Sequence, residues 1–419
     1  MIPYLEQRRD MASSYTMVYV PVGNRHKGFS KPTISVGYCT PKRCLVAIAV
    51  SMVIGTVIIQ LLLSFRHYLR DIHLRTDKDG ELVIISKKIA SKHNAVCLDG
   101  SSVPGYYMKE GIDEGEQKWL IMIPHSDWCN SMEDCRSSIT SPLKGTMKKA
   151  PVTLQFTDIL SSDPAENAYF ADWNMIRLVP CSGSSYLGNS SVSQNDDYNK
   201  ELRLNGAAVL AATLEHIIST TDISKSKQVV LYGEGSGAIS ALAYTHYIKS
   251  TLFVPNFTTL LSSGLLFDTR KSHFNVDKFF QLHNIKGNTV LRNCDSLTCL
   301  NAEQLLRSPR TSPVVVYTVG VPLWPLTTMY GCQNETDCTA KGYREKYFKA
   351  VTGLHTQHLQ IRKLITILSH CDWSLKTTVT KEDPRIVNRS IYEILVESLS
   401  GNVKTAIYID NGDCKGKGS

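Results

Sequence analysis

Short apolar runs alternate with helical patterns along most of the chain. Four runs are almost continuously hydrophobic, as is typical of strands buried on both faces of a sheet; they cover residues 119–123, 175–179, 228–232 and 313–319. Residues 206–219 carry an apolar stripe at helical spacing, and further helices are predicted over residues 237–248 and within residues 343–368. Strands that alternate with helices predict an α/β fold with a doubly wound sheet.

A longer apolar run lies near the start of the chain. Residues 44–65 (CLVAIAVSMVIGTVIIQLLLSF) contain no charged residue, and a helix of this length would cross the ~30 Å hydrocarbon core of a bilayer. A signal peptide fits less well, because its apolar stretch is about 7–15 residues long and ends at a cleavage site of small residues. We therefore predict a transmembrane signal anchor at 44–65, a cytosolic tail at 1–43 and a polar stem at 66–93.

Cysteines and glycosylation acceptors predict where the rest of the chain lies. Ten of the twelve cysteines follow the anchor, an even number that is typical of an oxidising compartment. The Asn-x-Ser/Thr acceptors also follow it, at Asn189, Asn256, Asn334 and Asn388. These features predict a single-pass type II membrane protein whose C-terminal domain, residues 94–419, is luminal or extracellular.

Charge and composition exclude several classes of protein. Hydrophobic residues make up 42% of the chain, so it is neither disordered nor fibrous. The formal net charge is +8, of which residues 1–43 carry +5 (seven basic and two acidic residues). The rest of the chain carries a net charge of only +3, so the folded part lacks the basic excess that is typical of nucleic-acid-binding proteins. No Cys-x-x-Cys motif is present, and five residues separate Cys129 from Cys135 and Cys332 from Cys338, which disfavours a zinc site. We predict no metal and no cofactor.

One segment has the pattern of a catalytic turn but lacks its central residue. Residues 229–240 (VVLYGEGSGAIS) predict a strand, a tight glycine turn and the start of a helix. This is the context of the nucleophile elbow of α/β-hydrolases, in which serine stands at the centre of Gly-x-Ser-x-Gly. Here the outer glycines are Gly233 and Gly237, the centre is Gly235, and Ser236 comes one position too late.

Motifs in a fixed order over residues 94–413 resemble the pectin acetylesterase family, which includes the Notum carboxylesterases of animals. They are AVCLDG at 95–100, WCN at 128–130, CSGSSY at 181–186 and SHC at 369–371. The resemblance implies an α/β-hydrolase fold and a carboxylic ester hydrolase that removes acetyl or acyl groups. It also implies five disulfides, which are Cys97–Cys181, Cys129–Cys135, Cys294–Cys299, Cys332–Cys338 and Cys371–Cys414.

The catalytic positions implied by the resemblance are only partly retained. The family's nucleophilic serine falls on Gly235 and its catalytic aspartate on Pro322, whereas its histidine is retained as His370. Glycine has no atom that can attack an ester, and proline cannot orient an imidazolium. The family's three-glycine oxyanion loop corresponds to residues 125–127, which are His125, Ser126 and Asp127.

These substitutions predict a non-catalytic member of the family that binds a glycan, an acylated ligand or a protein partner. Trp128 and Trp324 are either lining residues of its cleft or packing residues. The alternative is an active esterase that uses Ser236 with His370 and with Asp268 or Asp372 as the acid. His125, Ser126 and Asp127 are not expected to form a triad among themselves, because neighbours in an extended segment point to opposite faces.

Overall fold

The computed structural model describes residues 41–76, 79–190, 202–268, 272–291, 294, 297–307, 312–357, 364–369, 385–386, 389–400 and 405–410. Most of the predicted cytosolic tail, His370, Asp372, Asn388 and the Cys371–Cys414 pair lie outside these residues.

The described elements follow one another as an alternation of helices and strands. The helices are α1 (Pro41–Thr76), α2 (Lys87–His93), α3 (Met132–Ser138), α4 (Gly206–Thr220), α5 (Ser236–Leu252), α6 (Val276–Leu282), α7 (Ala302–Arg307), α8 (Leu323–Tyr330), α9 (Glu335–Ala340), α10 (Tyr343–Gln357) and α11 (Ile391–Leu399). The strands are β1 (Asp79–Ile84), β2 (Gly105–Lys109), β3 (Lys118–Ile123), β4 (Thr153–Gln155), β5 (Asn174–Leu178), β6 (Gln228–Glu234), β7 (Phe257–Ser262), β8 (Val314–Val319), β9 (Leu364–Ser369), β10 (Arg385–Ile386), β11 (Arg389–Ser390) and β12 (Ala406–Asp410).

Ten strands form one sheet in the order β12-β9-β8-β7-β6-β3-β5-β2-β1-β4. The pairs from β12 to β5 are all parallel, and the pairs from β5 to β4 are antiparallel. The four strands predicted from apolar runs are β3, β5, β6 and β8, which confirms the predicted α/β sheet. Parallel strands place their carboxyl ends at one edge, where ligand sites of such sheets occur. The loop after β3 and the turn after β6 meet at this edge.

Helix α1 contains the predicted anchor. Its apolar part, Ile48–Arg66, has a mean hydropathy of 2.3 and none of that window is buried. This helix is therefore long and apolar enough to cross a membrane, by length and composition.

The segment 66–93 differs from the predicted polar stem. The end of α1, strand β1 and helix α2 lie there, and β1 pairs with both β2 and β4 in the main sheet. Strand β1 lies in the antiparallel part of the sheet, near its edge. A strand there commonly packs only one face against the core, so its sequence keeps polar residues and resembles a linker. One face of β1 is nevertheless packed, since a Cβ at Gly80 would lie 2.2 Å from the Phe156 ring.

Four of the five predicted disulfides are present. Cys97–Cys181 joins the segment after α2 to the loop after β5, and Cys129–Cys135 closes the loop after β3. Cys294–Cys299 and Cys332–Cys338 are local pairs. The first two fix the loops that surround the turn between β6 and α5.

Candidate functional site

The turn between β6 and α5 has the backbone of a nucleophile elbow. Gly235 alone separates the two elements, with φ 51° and ψ −123°, in the left-handed half of backbone space where side chains are strained. The helix also passes very close to β3, because a Cβ at Gly237 would lie 2.2 Å from the carbonyl oxygen of Ile123. The sharp bend that would present a nucleophile is therefore intact, and its apex carries no side chain.

The imidazole of His125 occupies the space above this apex. A Cβ atom at Gly235 would lie 2.8 Å from Nδ1, 3.1 Å from Cγ and 3.2 Å from Cβ of His125. Contacts below 3.0 Å are not tolerated by real Cβ atoms, so a side chain at Gly235 would require His125 to move. The ring of His125, in the loop after β3, thus fills the space that a side chain at the apex of the turn would occupy.

The two backbone N–H groups of an α/β-hydrolase oxyanion hole both have partners within the chain. In that fold the donors are the residue after the nucleophile and a residue of the loop after the corresponding strand. Here the first is Ser236, whose N–H donates to Nδ1 of His125 at 3.3 Å. The second is Ser126, whose N–H donates to Oγ of Ser236 at 2.9 Å. A substrate oxyanion would have to displace both side chains.

Ser236 is fully buried and its hydroxyl is held in a network of serines. Its Oγ donates to the carbonyl oxygen of Ser126 at 2.6 Å and accepts a hydrogen bond from Oγ of Ser185 at 3.0 Å. Ser185 also lies 2.7 Å from Oγ of Ser126, and Ser240 donates to its carbonyl oxygen. The network ties the loop after β3 to the start of α5.

Ser236, His125 and Asp127 nevertheless form a chain of contacts. Oγ of Ser236 lies 3.3 Å from Nδ1 of His125, and Nε2 of His125 lies 3.7 Å from Oδ1 of Asp127. Asp127 is also paired with Lys144 at 2.9 Å. Burial lowers the pKa of His125, Asp127 raises it in part and Lys144 lowers it, so the ring is neutral near pH 7. Its Nδ1 lone pair is then free to accept the Ser236 N–H.

Of the other predicted catalytic positions, Pro322 and Asp268 lie within the described residues and His370 does not. Pro322 is buried directly before α8 and has no side-chain donor or acceptor. His370 follows β9 and lies outside the described residues. Asp268 has a left-handed backbone, with φ 48°.

An aromatic wall stands beside His125. We define it as Trp128, Phe279 and Trp324. Trp128 stacks on Phe279 with ring centroids 4.5 Å apart and meets Trp324 edge-on at 5.3 Å. Trp324 in turn lies 5.9 Å from the ring of His125. Nε1 of Trp128 donates to Oγ of Ser185 at 3.0 Å, and both tryptophans remain partly exposed. They therefore serve as packing residues on one side and present surface on the other.

Two residues were not predicted from the sequence to belong to the site. Ser185 links Trp128 to Ser236, and the motif at 181–186 is the signal that could have indicated it. Glu234, beside Gly235, is exposed on one side, and partial desolvation and the nearby Asp158 raise its pKa while Arg177 lowers it. A carboxyl with a raised pKa at the elbow is a second polar feature of this edge.

A cluster of metal-ligand residue types lies nearby. Cys129, Cys135 and His283 have their ligand atoms within 4.8 Å of one another. The two cysteines share a disulfide, so their sulfurs are not thiolate ligands.

Comparison with known proteins places the chain in a family and confirms its fold. The sequence profile of the pectinacetylesterase family matches residues 75–317, more than half of the chain. Pectin acetylesterase 5 of Arabidopsis thaliana is 24% identical over 335 residues, which are 73% of this chain and 77% of that protein. The human palmitoleoyl-protein carboxylesterase NOTUM is 29% identical over 173 residues, 41% of this chain and 33% of that protein.

A solved structure has the same fold. The Wnt deacylase Notum from Drosophila superposes with a TM-score of 0.59 at 15% identity, over 80% of this chain and 97% of that one. The chain is thus a member of the pectinacetylesterase family.

Proposed function

We propose that this protein is a membrane-anchored member of the family that has exchanged ester hydrolysis for binding. The observation that supports this is the His125 ring over Gly235, together with the two oxyanion donors that His125 and Ser236 already occupy. Loss of one oxyanion donor alone costs about 10²–10³ in turnover. An elbow with no nucleophile and two engaged donors is expected to have no family-type esterase activity.

Labelling with a fluorophosphonate tests this proposal. The full chain, solubilised in mild detergent, should remain unlabelled, and it should not hydrolyse p-nitrophenyl acetate above the rate of buffer. Stoichiometric labelling that disappears in Ser236→Ala would overturn the proposal. A Ser263→Ala variant, which changes a serine outside the hydroxyl network, controls for nonspecific effects of removing a hydroxyl.

The ligand is proposed to be a glycan, an acylated ligand or a protein partner that rests on the aromatic wall. Flat apolar rings with polar edges suit sugar and acyl surfaces alike. The family relatives are named for acetylated pectin and for palmitoleoylated protein, and these two classes are the first to test. Binding on a glycan or lipid array should weaken at least tenfold in Trp324→Ala. It should be unchanged in Val152→Ala, an exposed apolar residue at the opposite margin of the sheet.

The second candidate is an active esterase with a shifted nucleophile. The chain Ser236–His125–Asp127, with its 3.3 Å and 3.7 Å contacts, supports it. Against it stands the Ser236 hydroxyl, which is buried and donates to the Ser126 carbonyl rather than to the imidazole. Turnover that requires both Ser236 and His125, but not His370, would favour this candidate; turnover that requires His370 would favour the Ser236–His370 pairing.

We also propose a type II topology, with the domain after α1 in the secretory lumen or outside the cell. The ten cysteines and the glycosylation acceptors after the apolar helix support it. Protease treatment of sealed microsomes should leave this domain intact and remove an epitope tag placed before Pro41. Digestion of the domain in intact vesicles would reverse the topology.

A further inference from the structure

Phe253 is placed where a large aromatic residue is costly. It follows α5 with φ 58° and ψ 32°, the left-handed position at which helices usually end in glycine or asparagine. Its ring is 79% exposed, and among the described residues no large hydrophobic side chain is more exposed. Neither the backbone conformation nor packing within the chain accounts for an aromatic ring here.

A glycosylation acceptor lies three residues further on. Asn256 is exposed and precedes β7, and its backbone oxygen accepts a hydrogen bond from the Val229 N–H at 2.9 Å. Its side chain has no hydrogen bond to any residue that the structure describes. Three residues of extended chain cover only about 10 Å, so the first sugar on Asn256 would be within reach of the Phe253 ring.

The surface around Phe253 suits a sugar. An open groove of about 550 Å³ runs along α4 and α5 beside it. Its lining combines an aromatic and apolar floor with hydroxyl groups, and includes Ile218, Ser219, Tyr247, Ser250, Thr251 and Phe253. Pyranose rings have an apolar face and a rim of hydroxyls, which match stacking rings and side-chain hydroxyls.

The other acceptors of the described residues lack this arrangement. Asn189 is partly buried, and its Nδ2, the atom that would receive a glycan, donates to the carbonyl oxygen of Gly287 at 2.5 Å. Asn334 is exposed and its Oδ1 caps α9 by accepting from the Asp337 N–H at 2.9 Å. Neither has an exposed aromatic ring three residues before it.

We propose that Asn256 carries an N-linked glycan whose first N-acetylglucosamine stacks on Phe253 and extends along the groove. The proposal rests on the luminal placement proposed above. In the transfer, Nδ2 of Asn256 forms a bond to the anomeric carbon of a lipid pyrophosphate-linked oligosaccharide. The bond from that carbon to the pyrophosphate oxygen breaks, the lipid pyrophosphate leaves and the amide loses one proton.

Glycan occupancy is the first measurement. The full chain is expressed in human cells and its glycopeptides are analysed by mass spectrometry after enzymatic deglycosylation in heavy-oxygen water. We expect most copies to be modified at Asn256. If Asn256 is unoccupied while another of the four acceptors carries a glycan, this inference is overturned and the topology stands; if none of the four is occupied, the luminal placement fails as well.

Thermal unfolding tests the stacking. Asn256→Gln removes the glycan, and Thr258→Val does so in a second way, at a buried hydroxyl that has no hydrogen-bond partner in the described residues. Asn256→Gln should lower the unfolding temperature, relative to the glycosylated chain, by about 2–4 °C. Thr258→Val also removes an unpaired buried hydroxyl, so it is compared only between backgrounds, where this gain cancels. In a Phe253→Ala background the loss should be less than half as large, and in Phe253→Tyr it should be retained. Equal losses in all three backgrounds would show that the sugar does not rest on Phe253.

Discussion

The contact between His125 and the apex of the elbow predicts how a restored nucleophile would behave. A Cβ atom at Gly235 would approach Nδ1 to 2.8 Å, and the backbone there is left-handed, with φ 51°. Overpacking of this kind costs about 1–3 kcal/mol, and a left-handed residue with a side chain about 1–2 kcal/mol. We therefore expect Gly235→Ser to lower the free energy of unfolding by about 2–5 kcal/mol.

A double-mutant cycle separates the two contributions. In a His125→Gly background the overlap is absent but the backbone strain remains, so Gly235→Ser should cost about 1–3 kcal/mol less than in the parent chain. Denaturant unfolding of the solubilised chain measures both costs. Gly235→Ala is the matched control, because it adds the same Cβ without a hydroxyl and should show the same coupling.

Fluorophosphonate labelling tests whether a hydroxyl placed at Gly235 is reactive. We expect the fluorophosphonate to label the H125G/G235S double variant slowly and to leave Gly235→Ser unlabelled, since only the double variant has both a hydroxyl at the apex and a Ser236 N–H that His125 no longer engages. Equal costs of Gly235→Ser in the two backgrounds, or labelling of the single variant, would refute the assignment of His125 as the obstructing group.

Three further predictions concern stability. Burial lowers the pKa of His283 to about 4, so the free energy of unfolding should fall by about 3 kcal/mol as the pH drops from about 6.5 to about 4, and His283→Gln should flatten this limb. Burial raises the pKa of Asp99, but hydrogen bonds from Ser102 and its neighbours outweigh this and lower it to about 2. Stability from Asp99 is thus present above about pH 4 and lost toward pH 2, and Asp99→Asn should remove this dependence in acid titrations. Ser185→Ala should cost about 1–3 kcal/mol by leaving the Trp128 indole N–H without its acceptor, and should shift tryptophan fluorescence.

The strands that could be predicted from sequence are those whose two faces are both buried. Strand β3 shows five buried residues in a row, and its apolar run predicts it directly. Strand β7 is equally buried, but Thr258 and Thr259 interrupt its apolar pattern. Oγ1 of Thr259 lies within hydrogen-bond distance, 3.0 Å, of Oγ1 of Thr245 on α5. This hydrogen bond allows a polar side chain to be buried in the strand, and it cannot be seen in the sequence.

The sequence predicts where the candidate site lies but not how its side chains are arranged. The spacing of Gly233 and Gly237 predicts the elbow, and Gly235 at its centre predicts that no nucleophile stands there. It does not predict that His125 turns toward Gly235, since the direction of a loop side chain depends on the tertiary contacts around it. The same limit applies to Ser185, whose left-handed backbone (φ 46°) aims its hydroxyl at Ser236.

Gly235 and His125 make each other's placement at the turn favourable. Without a nucleophile at Gly235, the space above the apex would be empty, and the Ser236 N–H would lack a partner at a cost of about 1–3 kcal/mol. His125 fills that space and accepts that N–H, so the turn is stabilised as a closed structure. The tryptophans outside it remain partly exposed, although a purely structural role would permit their burial. Recognition by this protein is therefore expected at Trp128 and Trp324, and a ligand-bound structure should leave the hydrogen bond from Ser236 to His125 unbroken.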